Sequence, residues 1–161
     1  MPTAVTDLFA GARTALAGLP QQELGQWHTP RVLGIARPAR IISSGRAWHL
    51  GVLLIADDAV LAVGSVIRAR EQVPRGYAAT SQRQRADIAA AAHRGGFPEG
   101  VPIHLDWRLI DLEALERVGE AEPLAIIGGV PQVRWTAAAG HRPLADYLVE
   151  QIDLLRRRAG G

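Results

Sequence analysis

The chain has no cysteine, no lysine and no asparagine in its 161 residues. Without cysteine there is no disulfide, no thiolate nucleophile and no thiolate-ligated metal. Without lysine there is no Schiff-base or S-x-x-K chemistry, and all 18 basic residues are arginine. Lysine and asparagine share AT-rich codons, so this pattern points to a GC-rich genome rather than to selection for guanidinium groups. Aromatic residues are scarce, at 5%, and net charge is only +2. The pI of about 9.9 follows from that small arginine excess, because little else titrates between histidine and arginine. No apolar run approaches the roughly 18–20 residues of a membrane span, and the N-terminus lacks a basic region followed by an apolar core. A cytoplasmic protein is expected.

What is present suits a globular fold. A length of 161 residues fits one domain, here 1–161, with an N-terminal helical segment over 4–27 and a sheet and helix core over 31–158. The most informative segment is Arg46 to Arg70, where two runs rich in Val, Ile and Leu flank Asp57-Asp58. It predicts a long central β-hairpin with its turn at Ala56–Ala59. The favoured register sets Gly51 opposite Gly64 and Arg68 opposite Ala47. The glycine pair would leave a hollow on the sheet, into which the Ala-rich helix beginning at Ser81 would fit.

Residues 4–18 show helical spacing of Val5, Leu8, Phe9, Ala12 and Leu16, with a short second helix expected over Gln21 to Trp27. Val32–Ala36 and Arg40–Ser44 predict two short strands, and 72–79 a loop. S-x-x-Q at Ser81 and Gln84 predicts a capping box for a helix ending at Gly95-Gly96. Val101–Ile110 alternates as one half-buried strand, and Asp111 caps a short helix over Leu112–Val118. Leu124–Ile127 and Val130–Trp135 form a hairpin through Gly128-Gly129. Pro131 argues that the second of these strands lies at an edge or starts just after it. The last helix carries the stripe Leu144, Tyr147, Leu148, Ile152 and Leu155. Together these elements predict an α+β fold with a mainly antiparallel sheet of about six or seven strands and packed helices.

Candidate chemistry is thin. His104, Asp106 and Arg108 alternate on one strand face, where a His and a carboxylate could share a proton or hold a metal. The polar, solvent-facing side of a half-buried strand fits all three without any ligand. No H-x-x-x-H or H-x-x-E-H spacing adds further ligands, so no metal and no cofactor are expected. Charge is lopsided, with a balance of +6 over Arg31–Arg94 and −5 over Glu99–Glu122. Such halves could form an anion site, an RNA-facing patch, or complementary faces of two copies. The turn Ser43-Ser44-Gly45-Arg46 could hold an anion through backbone N–H groups and a guanidinium. No phosphate-binding, nucleophile-elbow or zinc-protease motif occurs. Trp48 and Trp107 fall on apolar faces, as core residues do.

Several segments resemble a family of small uncharacterised actinobacterial proteins: RVLGIAR (31–37), AWHLGVLL (47–54), Gly64 with Arg68-x-Arg70, HRGGFPEG (93–100) and GVPQVRW (129–135). Some members carry the label glutaminase, so the resemblance would imply glutamine hydrolysis. The residues do not support that label: the serine-dependent route needs a lysine and the amidotransferase route a cysteine, and the chain has neither.

The function expected is therefore a non-catalytic binding or assembly domain, with a second copy as partner, as in a homodimer. Both faces of the central hairpin are apolar and need cover. The alternative is a small hydrolase or transferase acting on an anionic substrate, with Arg46, His49, Arg68, Arg70 and His104 as ligand-binding candidates and no catalytic residue assigned. An RNA-associated protein is the third reading, although nucleic acid and membrane are not expected partners.

Overall fold

The computed structural model describes residues 3–71 and 80–161. The loop expected over 72–79 lies outside them. In chain order the elements are α1 (Ala4–Leu16), β1 (Gln22–His28), β2 (Arg31–Val32), β3 (Ile35–Ala36), β4 (Arg40–Leu50), β5 (Leu53–Ile55), β6 (Val60–Ala62) and β7 (Ser65–Arg68). There follow α2 (Thr80–Arg94), β8 (Pro102–Leu105), β9 (Arg108–Leu109), α3 (Leu112–Val118), β10 (Glu120–Ala121), β11 (Leu124–Ile127), β12 (Val130–Thr136), β13 (Gly140–Pro143) and α4 (Leu144–Ala159). Seven strands hydrogen-bond in the order β7-β8-β1-β4-β5-β6-β9, mostly antiparallel, so the α+β class holds. The chain divides into two compact units, with β4 passing from one to the other at Arg46–Ala47.

The first unit comprises 1–21, 47–63 and 107–161. In α1 the Thr3 hydroxyl accepts the Thr6 N–H at 3.2 Å, and Val5, Phe9, Ala12 and Leu16 are buried at the expected spacing. Each large apolar side chain so buried contributes about 1.5–3 kcal/mol. They pack in one cluster with Trp48, Leu50, Leu53, Ile55 and Val60, and with Leu144, Tyr147, Leu148 and Ile152 of α4. Trp48 is 8% exposed, and its indole N–H donates to the Leu19 carbonyl at 3.0 Å. Asp111 caps α3 by accepting the Ala114 N–H at 2.9 Å, and Gly128-Gly129 turns β11 onto β12 with both φ positive. β12 is an inner strand, between β11 and β13. Pro131 is nonetheless tolerated, because β13 ends with Pro143 opposite Gln132 and no longer flanks it.

The turn at Ala56–Ala59 forms as expected, closed by the Ala56 N–H to the Ala59 carbonyl at 2.9 Å, with Leu54 opposite Leu61. The longer hairpin does not. At Gly51, φ is +62°, and the chain reverses there so that β4 folds onto β5, with Trp48 opposite Ile55. A side chain on Gly51 would run into the Tyr147 hydroxyl. The first apolar run is thus a hairpin in its own right, and the Gly51/Gly64 hollow does not exist.

The second unit comprises 22–46 and 64–106. Its strand order is β7-β8-β1-β4, with β1 parallel to β8. Residues 21–27, expected to be helical, supply this inner strand. Gly25 lets Ile103, Ile41 and Leu105 close over the backbone, an arrangement a sheet rewards and a helix does not. Ser43 to Arg46 form no turn but run inside β4, where the Ser44 hydroxyl donates to the Leu24 carbonyl at 3.2 Å. The helix expected from Ser81 starts at Thr80 and buries Ala89–Ala92. Ala91 and Ala92 join a cluster with Ile41, Ala69, Phe97, Ile103 and Leu105. Gly95 must be small there, because a Cβ would strike the Ile41 carbonyl. The strand expected over Val101–Ile110 breaks at Asp106, whose φ is +56°.

β2 and β3 make a separate two-stranded ribbon, with Val32 opposite Ile35 and Leu33-Gly34 at the tip. Its base is closed by the Arg37 N–H to the Pro30 carbonyl at 2.8 Å. Both tip residues have positive φ, +53° for Leu33 and +79° for Gly34. This is the turn that favours Asn-Gly, and a leucine there is strained.

Candidate functional site

The five candidate ligand residues do not form one cluster. Arg46, Arg68, Arg70 and His104 belong to the second unit and His49 to the first. Arg68 pairs with Pro102 across β7–β8, so its expected position opposite Ala47 is overturned. Its guanidinium donates to the Gly100 carbonyl at 2.8 Å. The Arg46 Nε donates to Glu23 at 2.8 Å, and the Ser43 hydroxyl donates to the other Glu23 oxygen at 3.0 Å. That carboxylate thus anchors the segment read as an anion-binding turn. The Arg46 side chain is two-thirds exposed, so the pair is a modest surface tie. The Arg70 side chain is exposed, and its backbone N–H donates to the Ala89 carbonyl at 3.1 Å.

His104 was expected on a polar strand face beside Asp106 and Arg108. It is fully buried, and its Nε2 donates to the Gln22 side-chain oxygen at 2.6 Å. Its strand neighbours are Val66 and Leu24. Asp106 instead lies beyond the strand end and accepts from the Ser65 hydroxyl at 3.2 Å. The three residues share no face, so neither a proton relay nor a metal site can be built from them. Among the described residues no three His, Asp or Glu side chains gather as metal ligands.

A polar constellation lies in the first unit at the Gly51 turn. The Tyr147 hydroxyl donates to the Leu50 carbonyl at 2.9 Å and accepts the Val52 N–H at 2.8 Å. The His49 Nε2 donates to the Gly51 carbonyl at 2.9 Å. Arg142 lies 5.8 Å over the Tyr147 ring and pairs with Glu150 at 2.6 Å. Burial pushes the Tyr147 hydroxyl above its ordinary value of 10.0, against the opposing pull of Val52 and Arg142. Burial, assisted by Arg158, holds His49 below 6.5, against the opposing Gly51 bond. Two perturbed groups side by side suggest catalysis. Here, however, the tyrosine's proton and lone pair are both committed to main-chain atoms. The constellation is a clamp on the turn.

Two exposed surface features stand out among the described residues. One is the β2–β3 ribbon: residues 31–38 are all exposed, with Leu33 at 97% and Ile35 at 68%. The other is the outer face of α4, where Asp146, Val149, Glu150, Asp153, Leu154 and Arg157 line an open groove of about 460 Å³. All six come from one helix, so this is a face, not an enclosing cavity. Sequence analysis missed both. The signal for the ribbon was V-L-G-I between two arginines; for the helix it was Val149, which falls off the core stripe.

No protein-family model matches the chain, and no curated protein or solved structure is significantly similar to it. Among the described residues no helix is long and apolar enough to cross a membrane.

Proposed function

We propose that this chain is a non-catalytic assembly module that binds further copies of itself. The observation that carries this reading is the exposed ribbon, whose Val32, Leu33 and Ile35 are apolar and uncovered in the single chain. Apolar side chains clustered on a projecting element mark an interaction surface rather than a solvated one. A cysteine-free chain needs no oxidising compartment, which agrees with a cytoplasmic setting. The hydrolase or transferase alternative draws less support, because Arg46, His104 and Tyr147 are each bonded to groups of the protein itself. The glutaminase reading draws no support from the composition, since the chain has neither the lysine nor the cysteine of the two routes named above. Sedimentation velocity from micromolar to submillimolar concentration tests the reading. A mass above the 17.3 kDa monomer that rises with concentration is expected; a monomer throughout refutes it.

A further inference from the structure

We propose that the β2–β3 ribbon of one copy docks tip-first on the outer face of α4 of a second copy, an inference that rests on the self-assembly reading above. Three observations converge on it.

The first is strain without internal return. Leu33 holds a left-handed conformation that Asn or Gly would adopt more readily, and it is 97% exposed. Among the described residues no contact of its side chain explains a leucine at that position. Strain of this kind persists where the side chain serves a contact made elsewhere.

The second is charge. No Asp or Glu occurs between Glu23 and Asp57, whereas Arg31 and Arg37 stand toward the ribbon's base, on either side of the apolar Val32, Leu33 and Ile35. Asp146, Glu150 and Asp153, against the single lining arginine Arg157, border Val149, which is 63% exposed, and Leu154 on α4. Glu150 and Asp153 are about half exposed, so their ties to Arg142, itself 31% exposed, and to Arg156 are screened by solvent. A basic apolar ribbon and an acidic apolar strip are complementary in both respects.

The third is size. The strip from Asp146 to Arg157 spans about 16 Å at 1.5 Å per residue, while paired strands lie about 4.8 Å apart. Acids one helical turn apart, about 5.4 Å, are therefore spaced much as the ribbon's two strands are, with Arg31 on β2 and Arg37 one residue past β3.

The test uses the full chain and three variants. Leu33→Asn suits the turn, so the fold is retained while the apolar tip is lost. Association should weaken by about tenfold or more, as for an interface anchor. The pair Arg31→Glu/Arg37→Glu makes the ribbon acidic, and the pair Asp146→Arg/Asp153→Arg makes the helix face basic. Each charge variant alone should lose association, and an equimolar mixture of the two should regain it, since each then meets an opposite charge. Wild-type association that all three variants retain would overturn this docking and leave self-assembly by another face. A wild-type chain that stays monomeric would end the self-assembly reading and this inference with it. Binding of a monomeric chain to phosphatidylserine vesicles, lost in Leu33→Asn, would assign the tip to an anionic membrane and also overturn the proposal.

Discussion

Tyr147→Phe separates a clamp from a catalytic group. The substitution keeps the ring, which is 2% exposed, so no cavity opens. It removes one oxygen that joins two main-chain groups across the Gly51 turn, the Leu50 carbonyl and the Val52 N–H. A buried backbone group left without its partner costs about 1–3 kcal/mol. Leu50 is fully buried and Val52 half-buried, so the combined loss should be about 2–3 kcal/mol. In a chain of this length that corresponds to a Tm fall of about 4–12 °C. Urea unfolding followed by tryptophan fluorescence, to which the buried Trp48 contributes, reads the same core, and hydrogen exchange at the Val52 amide reads the bond itself. An alkaline titration adds a third readout. The folded hydroxyl titrates above 10.0, so its contribution is present below that pH and lost as pH rises through the folded value. Tyr147→Phe should lack that part of the alkaline decline. A loss under about 0.5 kcal/mol, the range of ordinary surface changes, with unaltered Val52 exchange would refute the clamp.

Burial holds His49 below 6.5, so its neutral form is the one the fold favours. The stability tied to it is whole above the unfolded value and declines as pH falls through the lower folded value. The difference between wild type and His49→Gln in urea midpoints should therefore change between about pH 7.5 and pH 5; a flat difference would contradict the assignment. Gly95→Ala drives a Cβ into the Ile41 carbonyl and should destabilise the second unit by about 3 kcal/mol through overpacking. A wild-type denaturation midpoint for that variant would show that the α2 contact is looser than described.

Much of the fold was legible locally. The spacing of Val5 to Leu16, Asp111 and the stripe from Leu144 to Leu155 announce α1, α3 and α4, because capping and helical spacing act within a few residues. Gly128-Gly129 and the Asp57-Asp58 break announce turns for the same reason. The α+β class and the Trp48 burial follow from such segments. The site was far less legible. Strand alternation placed His104 on a solvent face, since period two reports which side chains share a face and not whether another element covers it.

Composition and short-range pattern by themselves determined which chemistries are absent, where most helices and turns lie, and that a basic and an acidic stretch coexist. Tertiary structure alone decided that 22–28 is an inner strand, that β4 runs unbroken through Ser43–Arg46, and that the chain reverses at Gly51 and breaks at Asp106. Each of these depends on a partner far away in sequence: Ile103 over Gly25, Glu23 beside Arg46, Tyr147 at Gly51, Ser65 at Asp106. A strand is stabilised by the neighbour it pairs with more than by its own residues, so local propensity could not select among these outcomes.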